Sequence, residues 1–125
     1  MAVLPILGVL VGFLVIYFWN VPVPLELASY VALAALAGLD SIFGGVRAGL
    51  EGKFHSDIFI SGFVFNMLLA VALAYLGEMI GVDLLLAAVV ALGGRVFLNL
   101  SLIRRYWLTR AYQAAESDNP VECGV

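Results

Sequence analysis

Charge is scarce in this chain. Asp, Glu, Lys and Arg make up 12% of its 125 residues, where a soluble domain carries about a quarter. A chain of this length folded in water must coat much of its surface with polar side chains, and the supply here is too small. Cysteine and histidine are nearly missing: Cys123 and His55 stand alone. One cysteine forms no internal disulfide, and one histidine beside Lys53 and Asp57 has no second ligand with which to close a metal site. His55 reads as a solvated loop side chain. Cys123 is third from the end and does not fit a prenylation box. No nucleophile stands beside a base, which argues against an enzyme. No cofactor, no metal and no nucleic-acid partner is expected.

What is abundant is apolar. Hydrophobic residues reach 64% and the mean hydropathy is +1.10, which points to a lipid bilayer as the surroundings. Runs of about 18 to 22 apolar residues cross a hydrocarbon core of roughly 30 Å as helices. Four are present: Val3 to Trp19, Leu25 to Phe43, Ile58 to Met79 and Leu84 to Ile103. Lipid offers no hydrogen-bond partner to an open backbone, so each must be helical. The expected fold is all-α, with four transmembrane helices in a membrane domain over residues 1–110. After Arg105 the helical pattern runs on to about Ala115, and residues 111–125 form an acidic cytoplasmic tail. The first run lacks a basic leader, and Tyr17-Phe18-Trp19 is no small-residue cleavage site, so it reads as a span and not a signal peptide.

The basic residues set the orientation. Arg47 and Lys53 lie between the second and third runs, and Arg104, Arg105 and Arg110 follow the fourth. The connections Asn20 to Pro24 and Ile80 to Asp83 hold no Lys or Arg. Cations stay on the cytoplasmic side, so both termini are expected inside the cell. Tyr17, Phe18, Trp19 and Tyr30 fit an outer aromatic belt, and Tyr106 and Trp107 an inner one. Val21-Pro22-Val23-Pro24 ends the first helix, and Asp83 is placed to cap the fourth.

Helices in lipid gain nothing by hiding leucine, so close packing depends on small residues. Gly8 and Gly12 make a GxxxG pair. The second run has Ala34 and Gly38, then Ala37, Ser41, Gly45 and Gly49 at steps of four. Ala70, Ala74 and Gly77 follow in the third, and Ala87 and Ala91 in the fourth. Gly8, Gly12, Gly38, Ser41, Gly45 and Gly49 are the packing positions expected here, and spare smooth faces imply a homo-oligomer.

A few polar residues interrupt the apolar runs. At a rise of about 1.5 Å per residue, Asp40 falls roughly 21 Å from the outer end of its helix and Arg95 roughly 17 Å from the outer end of its own. Asn99 is about one turn deeper, and Asn66 enters about 12 Å from the inner side. These form one slab in the middle and inner half of the membrane. A charge at that depth must face a bundle interior, a wet cavity or a partner. Asp40 has two candidate partners, Arg95 across the bundle and Arg47 along its own helix. Asp40, Ser41, Arg47, Asn66, Arg95 and Asn99 are thus expected to form an intramembrane polar network. It either fixes helix register and subunit contacts or lines a binding or conduction path. Gly44-Gly45 invites unwinding of the inner end of the second helix. A short echo of it, Gly93-Gly94-Arg95, hints at related hairpins.

Leu39-Asp40-Ser41-Ile42-Phe43-Gly44-Gly45-Val46-Arg47-Ala48, followed by Phe59-Ile60-Ser61-Gly62-Phe63 and Asn66, resembles the small basic protein family of bacterial membrane proteins. Gly81-Val82-Asp83-Leu84, Arg95-Val96-Phe97-Leu98-Asn99-Leu100 and Ile103-Arg104-Arg105 continue the likeness, which covers about residues 1 to 110. The resemblance implies an integral protein of the bacterial cell (inner) membrane. Genes of the family often sit near cell-division and envelope genes, which implies envelope or division membrane proteins as partners. It brings no catalytic activity and no cofactor. This chain departs from the family's name, with a net charge of −3 that Glu116, Asp118 and Glu122 account for. Two functions stay open: a homo-oligomeric scaffold or partner-binding protein, and a small channel or transporter with a polar path around Asp40 and Arg95.

Overall fold

The computed structural model describes residues 3–118. Cys123, Glu122 and the rest of the expected tail beyond Asp118 lie outside the described residues. The described residues form four α-helices and no strand: α1 (Val3–Trp19), α2 (Ala28–Leu50), α3 (Ser56–Ile80) and α4 (Leu84–Asp118), with a 3-10 turn at Leu25–Leu27 leading into α2. Three segments are long and apolar enough to cross a membrane: Leu25–Leu50, Ser56–Ile80 and Leu84–Asp118. The fourth, α1, is a shorter apolar helix.

Local chemistry sets the breaks. Asn20 takes φ 48° after α1, a left-handed conformation that asparagine tolerates better than most residues. Pro22 and Pro24, which lack an N–H, prevent the helix from resuming until Leu25. Gly52 turns the chain after α2 at φ 72°, with Lys53 N–H donating to Ala48 O at 2.8 Å. Gly81 ends α3 in the left-handed region, its N–H donating to Gly77 O. The N–H of Val82 also donates to Gly77 O, at 3.0 Å, so these bonds close α3's last turn. Asp83 then caps α4, its Oδ1 accepting from Leu86 N–H at 2.9 Å.

α2 is the central element, packed against both α3 and α4, which touch each other less. The apolar core is small: Leu33 and Ala37 of α2 meet Ala70 and Ala74 of α3, with Tyr30, Met67, Leu85, Ala88 and Leu92 around them. Small residues at the contact let the backbones approach closely. The usual arrangement of side chains is inverted. Among the largest fully buried side chains are one leucine, Leu33, and one carboxylate, Asp40, while Phe13, Phe18, Trp19 and Phe97 stand mostly exposed.

Three expectations are corrected. α2 does not unwind at Gly44-Gly45 but runs as one α-helix to Leu50. The glycines there serve close approach: a Cβ on Gly45 would come within 2.6 Å of the Phe59 ring. Ala87 and Ala91 of α4 are exposed, and Leu85, Ala88 and Leu92 face the core instead. The α2 surface opposite is small enough there to receive larger side chains. Finally, α4 stays helical to Asp118, past the boundary expected near Ala115. The other bounds shift by a few residues, α2 beginning at Ala28 and α3 covering Ser56–Ile80.

Candidate functional site

Asp40 and Ser41 are consecutive on α2, and a helix turns about 100° per residue, so they serve different neighbours. Ser41, with Gly38 and Gly45, lies on the α3 side. The Asn66 amide Nδ2 donates to Ser41 Oγ at 3.1 Å. A Cβ on Gly38 would stand 3.4 Å from Phe63, and Gly45 lies under Phe59 as described. α3 therefore meets α2 through two aromatic rings on two glycines and one amide–hydroxyl bond.

Asp40 lies on the α4 side. Its side chain is wholly buried, and Arg95 Nη2 stands 3.2 Å from its Oδ2. Neither carboxylate oxygen accepts a hydrogen bond among the described residues. The contact is thus an ion pair by distance without hydrogen-bond alignment. The two members differ sharply in surroundings, since the Arg95 side chain is 60% exposed. One turn further along α4, Asn99 is buried. Its Nδ2 faces Gly44, where an added Cβ would lie 3.8 Å away.

Arg47, the other candidate partner of Asp40, is turned away. Its Nε donates to Glu51 Oε1 at 3.0 Å, and both side chains are partly exposed. The six polar residues expected to form one network are therefore divided. Asp40 and Arg95 pair, Ser41 and Asn66 pair, Asn99 stands beside Gly44, and Arg47 belongs to a separate surface pair. Glu51 was missed by the sequence reading, although the four-residue spacing of acid and arginine on one helix was the available signal. A second missed pair lies at the opposite end of the α2–α3 hairpin, where Tyr30 OH donates to Glu78 Oε2. A hairpin turning near residue 53 brings position 30 to position 78 as it brings 41 to 66, so register could have found it.

The packing glycines also divide. Gly38 and Gly45 are buried and Gly49 half-buried in α2. Gly8 and Gly12 of α1 meet nothing within 4 Å of an added Cβ. α1 packs only marginally on the rest of the chain, leaving a cavity of about 310 Å³ between Gly8 and Val9 and the Ile42, Phe59, Ile60 and Phe63 side chains.

Between α2 and α4 lies a polar groove. One cavity of about 380 Å³ holds Arg47, Glu51, Arg95 and Asn99. An adjoining one of about 320 Å³ shares Arg47 and Glu51 and extends to Arg105, Tyr106 and Thr109. Among the described residues no group of three His, Cys, Asp or Glu is placed to hold a metal ion.

Residues 23–108 match the model of a family described as a protein of unknown function, DUF1290. The chain is 46% identical over 107 residues to the small basic protein of Bacillus subtilis (strain 168), covering 86% of this chain and 88% of that protein. It is 42% identical over 85 residues to uncharacterised proteins of Mycobacterium bovis and Mycobacterium tuberculosis, covering 66% of this chain and 70% of each relative. No solved structure matches. The matched family region contains the Asp40–Arg95 and Ser41–Asn66 pairs and the α2–α4 groove as far as Tyr106, and it excludes α1.

Proposed function

The chain belongs to the DUF1290 family of proteins of unknown function, and on that premise we propose that it is a four-span protein of the bacterial cell membrane that self-associates and serves as a scaffold or docking partner there. In this reading α1, at about 26 Å long, completes the set of spans. Both termini face the cytoplasm, on the side of Arg47, Lys53, Arg104, Arg105 and Arg110. The outward display of apolar side chains around a buried carboxylate suits lipid surroundings and would be costly in water.

The observation that carries self-association is the state of α1. It is apolar and nearly unpacked within its own chain, and an added Cβ on either of its glycines would meet nothing within 4 Å. A GxxxG face of this kind lets two helix backbones approach closely, which is how helices gain contact energy in lipid. Envelope or division membrane proteins are the partner class the family resemblance suggests for the remaining surface.

Sizing of the purified protein in mild detergent tests this. The wild type should run as a defined oligomer, and Gly8→Leu with Gly12→Leu should reduce it to the monomer while leaving its helical content unchanged. A monomeric wild type contradicts the proposal. A second reading, a small channel or transporter, draws on the open groove that reaches Arg95 and, through it, Asp40. Ion flux in reconstituted vesicles that Asp40→Ala alters would favour it over the scaffold.

A further inference from the structure

The α2–α4 groove is built from more than its surface arginines. Arg47, Arg95 and Arg105 border it, and their nearby carboxylates are Glu51 and Asp40. Three guanidinium groups against two carboxylates leave one positive charge. Asn99 lies at the inner end of the groove, about nine-tenths buried. The Asn99 amide borders the groove, placed to donate to an acceptor that enters it. The groove also has a side opening, where Leu98 stands 57% exposed.

These features lie in a vertical order. Arg95, Asn99 and Arg105 succeed each other along α4, Asn99 about 6 Å and Arg105 about 15 Å beyond Arg95. Arg47 lies about 33 Å from the start of the Leu25–Leu50 segment, at the level of the cytoplasmic interface. The mouth therefore presents two guanidinium groups at the depth of lipid phosphates. The Asn99 amide lies about 9 Å deeper than Arg105 along α4, toward the glycerol-ester end of a lipid whose phosphate is held at the mouth, and the apolar opening beside Leu98 leads outward to acyl chains.

We propose that this groove binds one monoanionic phospholipid of the inner leaflet. Its phosphate sits between Arg47 and Arg105, an ester carbonyl accepts from the Asn99 amide, and an acyl chain leaves past Leu98. Arginine is suited to the phosphate because its planar fork donates two parallel hydrogen bonds. The single surplus positive charge matches a phosphodiester carrying one negative charge, and a zwitterionic headgroup would add an ammonium to an already cationic mouth. The proposal rests on the membrane reading and is independent of self-association through α1.

Native mass spectrometry of the full chain, extracted in mild detergent and supplied with equal amounts of phosphatidylglycerol and phosphatidylcholine, tests it. The wild type should retain one phosphatidylglycerol per chain in preference to phosphatidylcholine. Arg47→Gln with Arg105→Gln should weaken retention roughly tenfold or more, because charge-assisted hydrogen bonds to the phosphate are lost. Ala48→Trp, which fills the groove without removing charge, should do the same, while Arg104→Gln, outside the groove, should not. Equal retention of the two lipids overturns the proposal, as does an equal loss in Arg104→Gln. Displacement of the lipid by millimolar inorganic phosphate would mark a free-anion site instead. A change of oligomeric mass in Ala48→Trp would mean that a second copy fills the groove. Protein that partitions into the aqueous phase would instead contradict the membrane reading itself.

Discussion

Asp40 and Arg95 share an ion pair but not an environment, and that asymmetry has consequences for their substitution. Removing Arg95 leaves a wholly buried carboxylate with no hydrogen bond and no counter-charge. Breaking a buried pair in this way costs about 3–5 kcal/mol. Removing the charge of Asp40 leaves Arg95, which borders the polar groove and can turn toward Glu51 there. Arg95→Leu should therefore lower stability by about 3 kcal/mol, Asp40→Asn by much less, and the double variant should recover most of the loss. Unfolding in detergent micelles measures all three, and a larger loss in Asp40→Asn than in Arg95→Leu would refute the argument. The meeting of Asp40 with Arg95 was legible in the sequence because depth along two helices put both in one slab. The turn of Arg47 toward Glu51 was overlooked because depth alone says nothing about neighbours four residues away on the same helix.

At the level of elements, the ambiguity lies in glycine. In a sequence, Gly44-Gly45 can mean a break in a helix or a place where something comes close, and α2 uses it for the second. If the helix is continuous, Gly44→Ala has room for its methyl group 3.8 Å from Asn99 Nδ2. It should raise stability by about 1 kcal/mol, the helical preference of alanine over glycine. A marked loss would show that α2 needs to unwind there. Gly77→Ala should behave oppositely, because its Cβ would lie 2.7 Å from the Val82 carbonyl and 2.9 Å from Leu84 Cβ. Backbone cannot swing aside as a side chain does, so a loss of about 1–3 kcal/mol is expected in the same unfolding assay. The existence and order of the four helices were legible from apolar run length. The inward face of α4 was not, since choosing it by small residues selects Ala87 and Ala91, whereas the narrow surface of α2 lets Leu85 and Leu92 turn inward. The unpacked state of α1 was equally hidden, because a GxxxG pair reads the same whether its partner is in the same chain or in another.

For the whole molecule, the distribution of cations and the length of α4 make one consistent geometry. α4 has 35 residues, a length of about 52 Å, well beyond a hydrocarbon core of roughly 30 Å. Roughly the last 22 Å of it, from about Arg104 on, should therefore stand in the cytoplasm, carrying Arg104, Arg105 and Arg110, with Arg110 over the Tyr106 ring. The α2–α3 connection with Lys53 should lie on that same side, and the connections around Val21 and Val82 on the other. Thiol labelling from each side of sealed vesicles tests this orientation most directly, using single cysteines in a Cys123→Ser background. Lys53→Cys and Ser117→Cys should react only with reagent on the cytoplasmic side, and Val21→Cys and Val82→Cys only from outside. Labelling of all four positions from one side, or of Ser117→Cys from the exterior, would contradict the account.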